Sequence, residues 1–492
     1  MAITSESPVL TDRALFREAC YIDGSWTPAG AGGAIEVDNP ATGEILGAVP
    51  RLGRAETRAA IDAAARAFPE WRKKTAKERT AVMRRWFDLM MANQEDLARL
   101  MTAEQGKPIA ESEGEIRYAA TFIKWFAEEA RRVDGAIIPA PEANRRILVM
   151  KEPVGVSAAI TPWNFPAAMI TRKCAPALAA GCPVVVKPSE LTPYSALALA
   201  KLAEDAGFPA GVFSVVTGNA TAIGGVMTSS PVVRKLSFTG STRVGALLMR
   251  QSADTIKRLS LELGGNAPLI VFDDADLDLA VASAMASKFR NAGQTCVCAN
   301  RILVQDGIHD AFAEKLAQAV SALKVAPGDQ PGSTIGPLIN SAAVDKVKAH
   351  VEDALAHGAK IFAQAPEGAT GERFATPVIL TGATRDMRLA DEETFGPVAP
   401  LFRFTHEEEG IEIANGTSYG LASYFYTENL HRAFRVAERL EAGMVALNTG
   451  GISMEMAPFG GVKMSGLGRE GAHLGIEEYL ETKTFHVGGL KL

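Results

Sequence analysis

The sequence predicts an α/β protein with two parallel-sheet domains. From Arg146 onward, short apolar runs rich in β-branched residues alternate with helical stretches, and a second series of the same kind starts after Leu263. Strands separated by helices of this length imply right-handed βαβ crossovers, which form parallel sheets. The chain has 492 residues, which suggests about three domains at roughly 150 residues each.

Turns and three helices precede the first α/β series. Residues 1–50 contain the turn sequences DGSW at 23–26 and NPATGE at 39–44, which predict short strands or irregular structure. Apolar residues at helical spacing, with charged faces between them, predict helices at 55–68, 76–104 and 109–132. We expect these helices to cover a sheet.

The two α/β series account for most of the remaining elements. The first is predicted to contain strands at 147–150, 155–160, 184–187, 212–216 and 233–238 and helices at 167–180, 195–206, 220–227 and 241–251. The second is predicted to contain strands at 269–272, 302–305, 398–404 and 444–447 and helices at 275–289, 308–323, 344–357 and 432–440. Residues 480–487 are expected to form an edge strand, and the Gly- and Pro-rich stretches 326–337 and 455–471 to form loops.

Composition excludes several classes of function. The net charge is −6 and no long basic run is present, which argues against a nucleic-acid partner. No apolar run approaches the ~20 residues that a membrane helix needs, and the first residues do not resemble a secretory signal. We therefore expect a cytoplasmic protein with no membrane association.

The cysteines and histidines predict neither a disulfide framework nor a metal site. The five cysteines are odd in number and scattered. Cys296 and Cys298 are separated by a single residue, whereas zinc ligand pairs are usually separated by two to four. No HExxH sequence occurs.

One cysteine follows a sequence that favours a reactive thiol. In KFRNAGQTCVCANR at 288–301, Cys296 comes after a small, polar, helix-breaking run at 291–295. Its side chain can therefore stand where a helix has ended, in the electropositive, partly open setting that a nucleophilic thiolate requires. The alternative is a buried, inert cysteine that packs as a small hydrophobe.

Two strand ends predict a dinucleotide site. In FTGSTRVG at 238–245, a strand ends in a glycine turn that opens a helix, whose free N–H groups attract a pyrophosphate; a tight βα turn that needs Gly for space explains the pattern equally well. The sequence KPSE places Lys187 and Glu190 after a buried strand, where ligands of α/β sheets bind. Because Glu190 would repel a 2′-phosphate, NAD is favoured over NADP.

Two further residues have the chemistry of a base and of an oxyanion donor. Glu262 lies between leucines in LELGGN, where desolvation should raise its pKa towards neutrality. Asn164 lies in TPWNFP, whose prolines restrict the backbone and hold the amide rigidly. The simpler alternatives are a surface carboxylate and an Asx turn.

Six ordered motifs resemble the aldehyde dehydrogenase superfamily, and the similarity extends from the N-terminal turns to the final strand. They are PWNFP at 162–166, VVVKPSE at 184–190, FTGST at 238–242, LELGGNAP at 261–268, GQTC at 293–296 and EETFGPV at 392–398. The resemblance implies Cys296 as nucleophile, Glu262 as general base and Asn164 as oxyanion donor. The cofactor-binding residues that it implies are Thr161, Trp163, Lys187, Ser189, Glu190, Gly240, Ser241, Glu393 and Phe395.

The same resemblance implies roles for parts of the cofactor site and a mechanism. Lys187 and Glu190 match the adenosine-ribose positions, Gly240 and Ser241 match the pyrophosphate loop, and Glu393 matches the carboxylate that holds the nicotinamide ribose. The implied cofactor is NAD, with NADP possible. In the implied mechanism the thiolate attacks the aldehyde, hydride leaves for the nicotinamide, and an activated water releases the acid from the thioester.

The fold implied by the resemblance has three parts. A Rossmann-like NAD(P)-binding domain covers 1–130 and 152–262, an α/β catalytic domain covers 263–465, and a small β oligomerisation element covers 131–151 and 475–492. We expect a homotetramer or homodimer.

Within the superfamily, the chain most resembles the succinate-semialdehyde dehydrogenases. The similarity lies in MITRKCAPALAAG at 169–181, KFRNAGQTCVCANR at 288–301 and APFGG at 457–461. Arg172 and Arg290 match positions that hold the distal carboxylate of the substrate, and Ser453 matches a hydroxyl beside them. Two arginines select an anionic tail through charge-assisted bonds, although either could instead form a surface ion pair.

Several alternatives remain at this point. An arginine pocket does not easily distinguish a carboxylate from a sulfonate or four carbons from five, so glutarate semialdehyde and sulfolactaldehyde are alternative substrates. A non-catalytic structural relative is a further alternative, against which the joint presence of Cys296, Glu262 and Asn164 argues. The resemblance also implies that Cys298 can form a disulfide with Cys296 that blocks the site.

Overall fold

A computed structural model describes residues 8–491 of the chain. Residues 1–7, which belong to the predicted cofactor domain, and Leu492, which belongs to the predicted oligomerisation element, lie outside the described residues. In chain order the strands are β1 (Cys20–Ile22), β2 (Ser25–Thr27), β3 (Ala34–Asp38), β4 (Ile45–Pro50), β5 (Ala136–Ile138), β6 (Arg146–Pro153), β7 (Val156–Ile160), β8 (Val184–Lys187), β9 (Phe213–Val215), β10 (Val233–Thr239), β11 (Arg258–Glu262), β12 (Ala267–Val271), β13 (Ala299–Gln305), β14 (Lys360–Gln364), β15 (Val378–Ala383), β16 (Val398–Phe404), β17 (Ala422–Tyr426), β18 (Met444–Leu447), β19 (Gly466–Leu467) and β20 (Leu480–Val487).

The α-helices lie mainly between the strands of the two large sheets. In chain order they are α1 (Arg54–Lys73), α2 (Ala76–Ala92), α3 (Gln94–Gln105), α4 (Ile109–Glu129), α5 (Ala168–Ala180), α6 (Pro193–Ala206), α7 (Ala220–Ser229), α8 (Thr242–Ser252), α9 (Leu277–Lys288), α10 (His309–Val320), α11 (Ser341–Ala356), α12 (Arg388–Asp391), α13 (Glu407–Asn415), α14 (Leu430–Arg439) and α15 (Leu474–Glu477).

The first large sheet has eight strands in the order β19-β11-β10-β7-β8-β9-β1-β2. Its five central strands, from β11 to β9, are parallel, so their C-terminal ends lie at one edge. The core around this sheet includes α2 to α6, whose apolar faces are buried against it. The helices predicted before the first α/β series therefore cover a sheet, as expected.

The second large sheet has seven strands in the order β14-β15-β16-β13-β12-β17-β18, all parallel except β14. Its central strands are almost entirely buried, as expected for a parallel sheet covered on both faces. The two sheets meet where β11 ends and β12 begins, at Leu263 to Asn266, close to the place where the sequence predicted a second series.

A third, antiparallel sheet has the order β20-β6-β5. Its strands are much more exposed than those of the large sheets, and they carry exposed apolar side chains such as Ile137, which is 74% exposed, and Phe485, which is 51% exposed. The strand predicted at 480–487 is present and pairs with β6 along its whole length. An exposed apolar face of this kind on a sheet indicates an interaction site.

The structure corrects several predicted elements. The single helix predicted at 76–104 is wrong, because Asn93 leaves helical geometry and donates its side-chain amide to the Leu89 carbonyl at 2.8 Å. Asn competes in this way for backbone partners and so ends helices. The predictions also missed six strands, β5, β11, β14, β15, β17 and β19, and three helices, α12, α13 and α15.

Within residues 8–491, no helix combines the length and apolar character needed to cross a membrane.

Candidate active site

The candidate site lies at the carboxyl edge of the first sheet, where four neighbouring strands end. Thr161 follows β7, Lys187 is the last residue of β8, Gly240 follows β10, and Glu262 is the last residue of β11. The carboxyl ends of parallel strands form the usual ligand crevice of open α/β sheets. The topology therefore brings together residues that lie up to about a hundred positions apart in the sequence.

The adenosine end of the predicted cofactor site contains an ion pair. The Lys187 ammonium contacts the Glu190 carboxylate, and this carboxylate is 44% exposed. Burial opposes ionisation of Glu190, but the adjacent Lys187 outweighs it and lowers the pKa of the carboxyl. Ser189 lies between them and accepts a hydrogen bond from Leu191 N. A carboxylate at this position can accept ribose hydroxyls.

The predicted pyrophosphate loop has the expected strand-turn-helix geometry. Ser241 is the N-cap of α8, and its hydroxyl accepts a hydrogen bond from Val244 N. Gly240 packs against the ring of Phe238 so closely that a Cβ would lie 2.4 Å from it.

The hydroxyl of Thr161, just after β7, is buried without a hydrogen-bond partner in the described chain. A polar group left unpaired in this way fits a bound polar ligand.

The other end of the cofactor site is formed by the segment that follows α12. Glu393 accepts a hydrogen bond from Gly265 N at 3.1 Å, and burial raises its pKa to about 7. Trp163 and Phe395 meet edge to face with ring centres 5.6 Å apart. These two predicted cofactor residues therefore lie together, and Glu393, two residues before Phe395, adds a buried carboxylate. This set of residues fits a nicotinamide riboside.

A strained turn presents Cys296. Asn291, Ala292 and Gly293 all have positive φ values, of 51°, 54° and 78°, a conformation that is costly for non-glycine residues and is found at functional sites. Asn291 is held there by hydrogen bonds from its amide to Asn164 O and from Gln105 to its side-chain oxygen. The helix-breaking run predicted from the sequence therefore separates α9 from the cysteine.

Asn164 lies against the same turn. Its side-chain amide donates to the Gln294 carbonyl at 3.0 Å, and its backbone carbonyl accepts from Lys107 at 2.7 Å. The side chain is nearly fully buried, so its orientation is fixed. An amide with one N–H bonded to Gln294 retains its second N–H for an oxyanion near Cys296.

The thiol of Cys296 is partly open but not strongly acidified. Burial raises its pKa to about 12, and the guanidinium of Arg172 opposes this only in part. The expected electropositive setting is therefore only partly present, because Arg172 supplies positive charge but burial dominates the pKa of the thiol. The thiol needs a base to remove its proton.

Glu262 has the properties of such a base. Neither of its carboxylate oxygens has a hydrogen-bond partner in the described chain. Burial, followed by repulsion from Glu470, raises its pKa well above the usual value. The prediction of a desolvated carboxylate is confirmed, and the alternative of a surface carboxylate is wrong.

Arg172 is already paired with a buried carboxylate. Its guanidinium lies 2.9 Å from Glu470 Oε2 and stacks over Phe459 at 3.8 Å from the ring centre. Lys173 contacts the other oxygen of Glu470. Burial opposes ionisation of Glu470, but Lys173 and Arg172 hold its pKa below the ordinary value. The alternative of a surface ion pair is therefore wrong for Arg172, whereas its contact with the substrate tail stays a prediction, since Nε of the buried guanidinium has no hydrogen-bond partner in the described chain.

Arg290 and Ser453 line one small cavity, whose lining does not include Cys296 itself. The cavity also includes Val297, the residue after Cys296, and the ring of Tyr424. The Arg290 guanidinium lies over the Phe165 ring at 5.2 Å and forms no ion pair or hydrogen bond with the described residues. The alternative interpretation of Arg290 as part of a surface ion pair is therefore wrong within the described residues. The cavity thus has an uncompensated positive charge and a hydroxyl.

Cys298 is buried and has a separate environment. Its sulfur lies 3.4 Å from the Lys288 ammonium and contacts the Lys288 carbonyl at the same distance. All five cysteines are free thiols. Within the described residues, no group of three or more His, Cys, Asp or Glu side chains could hold a metal ion.

Sequence reasoning missed several residues that shape the site. Glu470 was assigned only to a glycine-rich loop, and Lys173 and Asn291 were quoted in motifs without a role. A charged residue between glycines in GREG, and a lysine next to Arg172 on an otherwise apolar helix, were the available signals. Lys173 and Glu470 are both buried and charged, and a buried charge requires a partner.

Comparisons with known proteins identify the family of the chain. The model of the family described as "Aldehyde dehydrogenase family" matches residues 26–485. A glutarate-semialdehyde dehydrogenase of Pseudomonas aeruginosa is 60% identical over 98% of this chain and 100% of its own. A 3-sulfolactaldehyde dehydrogenase of Pseudomonas putida is also 60% identical, over 98% of this chain and 99% of its own.

Two further relatives are named for succinate semialdehyde. The NADP(+) succinate-semialdehyde dehydrogenase of Escherichia coli is 61% identical over 97% of this chain and 99% of its own. The crystal structure of succinate-semialdehyde dehydrogenase from Burkholderia pseudomallei superposes with a TM-score of 0.96 at 61% identity, over 98% of this chain and 100% of that chain. The chain belongs to the aldehyde dehydrogenase family.

Proposed function

We propose that this aldehyde dehydrogenase uses NAD to oxidise an aldehyde with an anionic tail, most favourably succinate semialdehyde, to its carboxylic acid. The observation that carries the proposal is the free Arg290 guanidinium in the cavity beside Cys296. Arg290 is exposed and has no ion-pair partner in the described chain, so its guanidinium is free to form charge-assisted hydrogen bonds with an anionic ligand. Ser453 lines the same cavity and offers a further donor to the anion.

The first chemical step belongs to Cys296. Glu262 takes the proton of the thiol, and the sulfur forms a bond to the aldehyde carbon while the carbonyl electrons move to oxygen. The free N–H of Asn164 then donates to this oxyanion. In a well-studied case, removing one donor of this kind lowers kcat by a factor of about 10²–10³.

The second step belongs to Glu262. When bound, the nicotinamide supplies the acceptor for the hydride that leaves the substrate carbon. The acyl group then remains on the Cys296 sulfur as a thioester. Glu262 first releases the thiol proton to solvent and then removes a proton from water, whose oxygen attacks the acyl carbon. The carbon–sulfur bond breaks, the sulfur leaves as a thiolate that Glu262 can reprotonate, and the acid is the product.

The preference for NAD rests on Glu190. Its carboxylate stands at the end of β8 and is paired with Lys187, so the lysine charge is not free to attract a phosphate. A 2′-phosphate placed near this carboxylate is repelled. The Escherichia coli relative is named for NADP(+), so cofactor preference is a property in which the two proteins are proposed to differ.

Glutarate semialdehyde and 3-sulfolactaldehyde are the second candidates, because relatives at 60% identity are named for them. Both have an anionic group separated from the aldehyde, as succinate semialdehyde does. A single free guanidinium binds a carboxylate or a sulfonate through the same donors. The length and width of the cavity, rather than its charge, then decide among them.

We further propose that the protein forms a homo-oligomer through the third sheet. This sheet consists of β5, β6 and β20, and its apolar side chains are exposed on a single chain. Ile137 is 74% exposed, which is unfavourable unless a second copy covers it. Dimers and tetramers are distinguished by sedimentation of the purified protein.

A substrate panel tests the proposal. Initial rates are measured with succinate semialdehyde, glutarate semialdehyde, 3-sulfolactaldehyde and butanal, each with NAD and with NADP. We expect kcat/KM to be highest for succinate semialdehyde with NAD. It should be at least tenfold lower for butanal, which has a methyl group in place of the carboxylate. Equal efficiency on butanal and on all three anionic aldehydes contradicts the proposal.

A further inference from the structure

A buried, unpaired phenol lies near two residues that line the candidate substrate cavity. Tyr118 is on α4, and its hydroxyl oxygen is buried without a hydrogen-bond partner in the described chain. Leaving a buried hydroxyl unpaired is unfavourable, so such groups are usually explained by a ligand, water or function. Neither the sequence motifs nor the mechanism above uses this residue.

The surroundings of Tyr118 point to the cavity. Its ring meets Phe122 edge to face with centres 5.0 Å apart, and the Arg172 guanidinium lies over Phe122 at 5.7 Å. The groups close enough to perturb the pKa of the phenol are Arg172, Arg290, Ser453 and Glu470. Two of these, Arg290 and Ser453, line the cavity beside Cys296.

The phenol is a hydrogen-bond donor that lacks an acceptor. Burial raises the pKa of Tyr118, and the two nearby guanidiniums counteract this only in part, so the group stays protonated at neutral pH. A guanidinium has no acceptor atom and cannot take the phenol proton. The Ser453 hydroxyl lies beside the phenol, but no hydrogen bond of normal geometry joins them. Glu470, the nearest carboxylate in this group, is already paired with Arg172 and Lys173.

We propose that Tyr118 is a specificity-determining residue whose phenol donates a hydrogen bond to the anionic tail of the substrate. This inference rests on the proposed function. Arg290, Ser453 and Tyr118 then approach the anion from the turn before Cys296, from the loop after β18, and from α4. A carboxylate or sulfonate has enough acceptor sites for all three donors, whereas the methyl end of butanal has none.

The test uses Tyr118→Phe, which removes one oxygen atom and keeps the ring that packs on Phe122. We expect kcat/KM for succinate semialdehyde to fall about tenfold, mainly through a higher KM, because one hydrogen bond to a charged group is lost. The kcat/KM for butanal should stay within about twofold. Calorimetry with succinate as the probe should show weaker binding to the variant by a similar factor.

A matched control is available on another helix. Tyr194, on α6, also has a buried hydroxyl without a partner in the described chain, but its ring stacks on Phe16 at 4.4 Å and belongs to a different part of the core. Tyr194→Phe should leave the kinetics on every aldehyde unchanged. This control separates loss of a donor at the cavity from a general effect of removing an unpaired phenol.

The outcomes separate this inference from the proposed function. If Tyr118→Phe matches wild type while Arg290→Ala loses activity on anionic aldehydes, the inference is wrong and the proposed function stands. If Tyr118→Phe lowers kcat/KM by the same factor on butanal as on succinate semialdehyde, the role of Tyr118 is structural and the inference is overturned. If the wild type shows no preference for anionic aldehydes, the proposed function itself fails.

Discussion

Replacing Glu262 by Gln separates the two halves of the proposed reaction. Both carboxylate oxygens of Glu262 are buried without hydrogen-bond partners in the described chain, and Gln has nearly the same shape. The substitution therefore breaks no hydrogen bond of the free protein and removes a carboxyl that is repelled by Glu470. We expect the folded protein to be as stable as wild type or slightly more stable.

The expected kinetic effect is large and specific to turnover. General base catalysis contributes about 10²–10⁴ to a rate, which corresponds to about 3–5 kcal/mol of transition-state stabilisation. Without the base, hydrolysis of the Cys296 thioester should slow by this factor. Thiol deprotonation should slow as well, but at alkaline pH hydroxide replaces the base for this step, so the first turnover is still observed.

Stopped-flow measurement of NADH absorbance provides the assay. At about pH 9, Glu262→Gln should produce a burst of one NADH per active site followed by a much slower steady state, and mass spectrometry should detect the acylated Cys296 peptide. Cys296→Ala is the matched control and should give neither a burst nor an adduct. A steady-state rate for Glu262→Gln close to that of wild type would refute the assignment of the base.

Three further predictions follow from charges and thiols of the site. Glu190→Gln should raise kcat/KM for NADP roughly tenfold and leave NAD within a few fold, because a carboxylate opposes a 2′-phosphate even in a water-like dielectric; an unchanged NADP value would show that the carboxylate turns away. The kcat/KM of wild type should rise with pH through the neutral range and still be rising on the alkaline side, because Cys296 and Glu262 act deprotonated and burial raises both pKa values; a flat profile would mean that neither ionisation limits the reaction. Peroxide should inactivate the wild type, and dithiothreitol should then restore its activity. The Cys298→Ser variant should recover much less activity, and equal recovery in both proteins would leave Cys298 as a packing residue.

The sequence predicted the local features of the site well. Strand ends, the glycine turn before Ser241 and the helix-breaking run before Cys296 are encoded by nearby residues, and the structure contains each of them. The desolvation of Glu262 also followed from its leucine neighbours. Such features depend on short-range chemistry, which a single sequence displays.

Features that depend on distant contacts were not predictable in the same way. Lys173 and Glu470 are 297 residues apart in the sequence, and their pairing with Arg172 appears only after the last loop folds back over α5. This contact shows that Arg172 also pairs with a buried carboxylate, which no local motif indicated. The high pKa of Cys296 has the same origin, since burial by several segments outweighs the nearby positive charge.

The most direct test of the central claim compares Arg290→Ala with Arg290→Lys on succinate semialdehyde and on butanal. Arg290 has no partner in the described chain, so its removal should affect the structure little. For Arg290→Ala we predict that kcat/KM on succinate semialdehyde falls by about 10–100-fold, equivalent to one charge-assisted hydrogen bond, while butanal changes less than about twofold. Arg290→Lys, which keeps the charge, should recover part of the loss. Equal losses on both aldehydes, or no loss on either, would contradict the account.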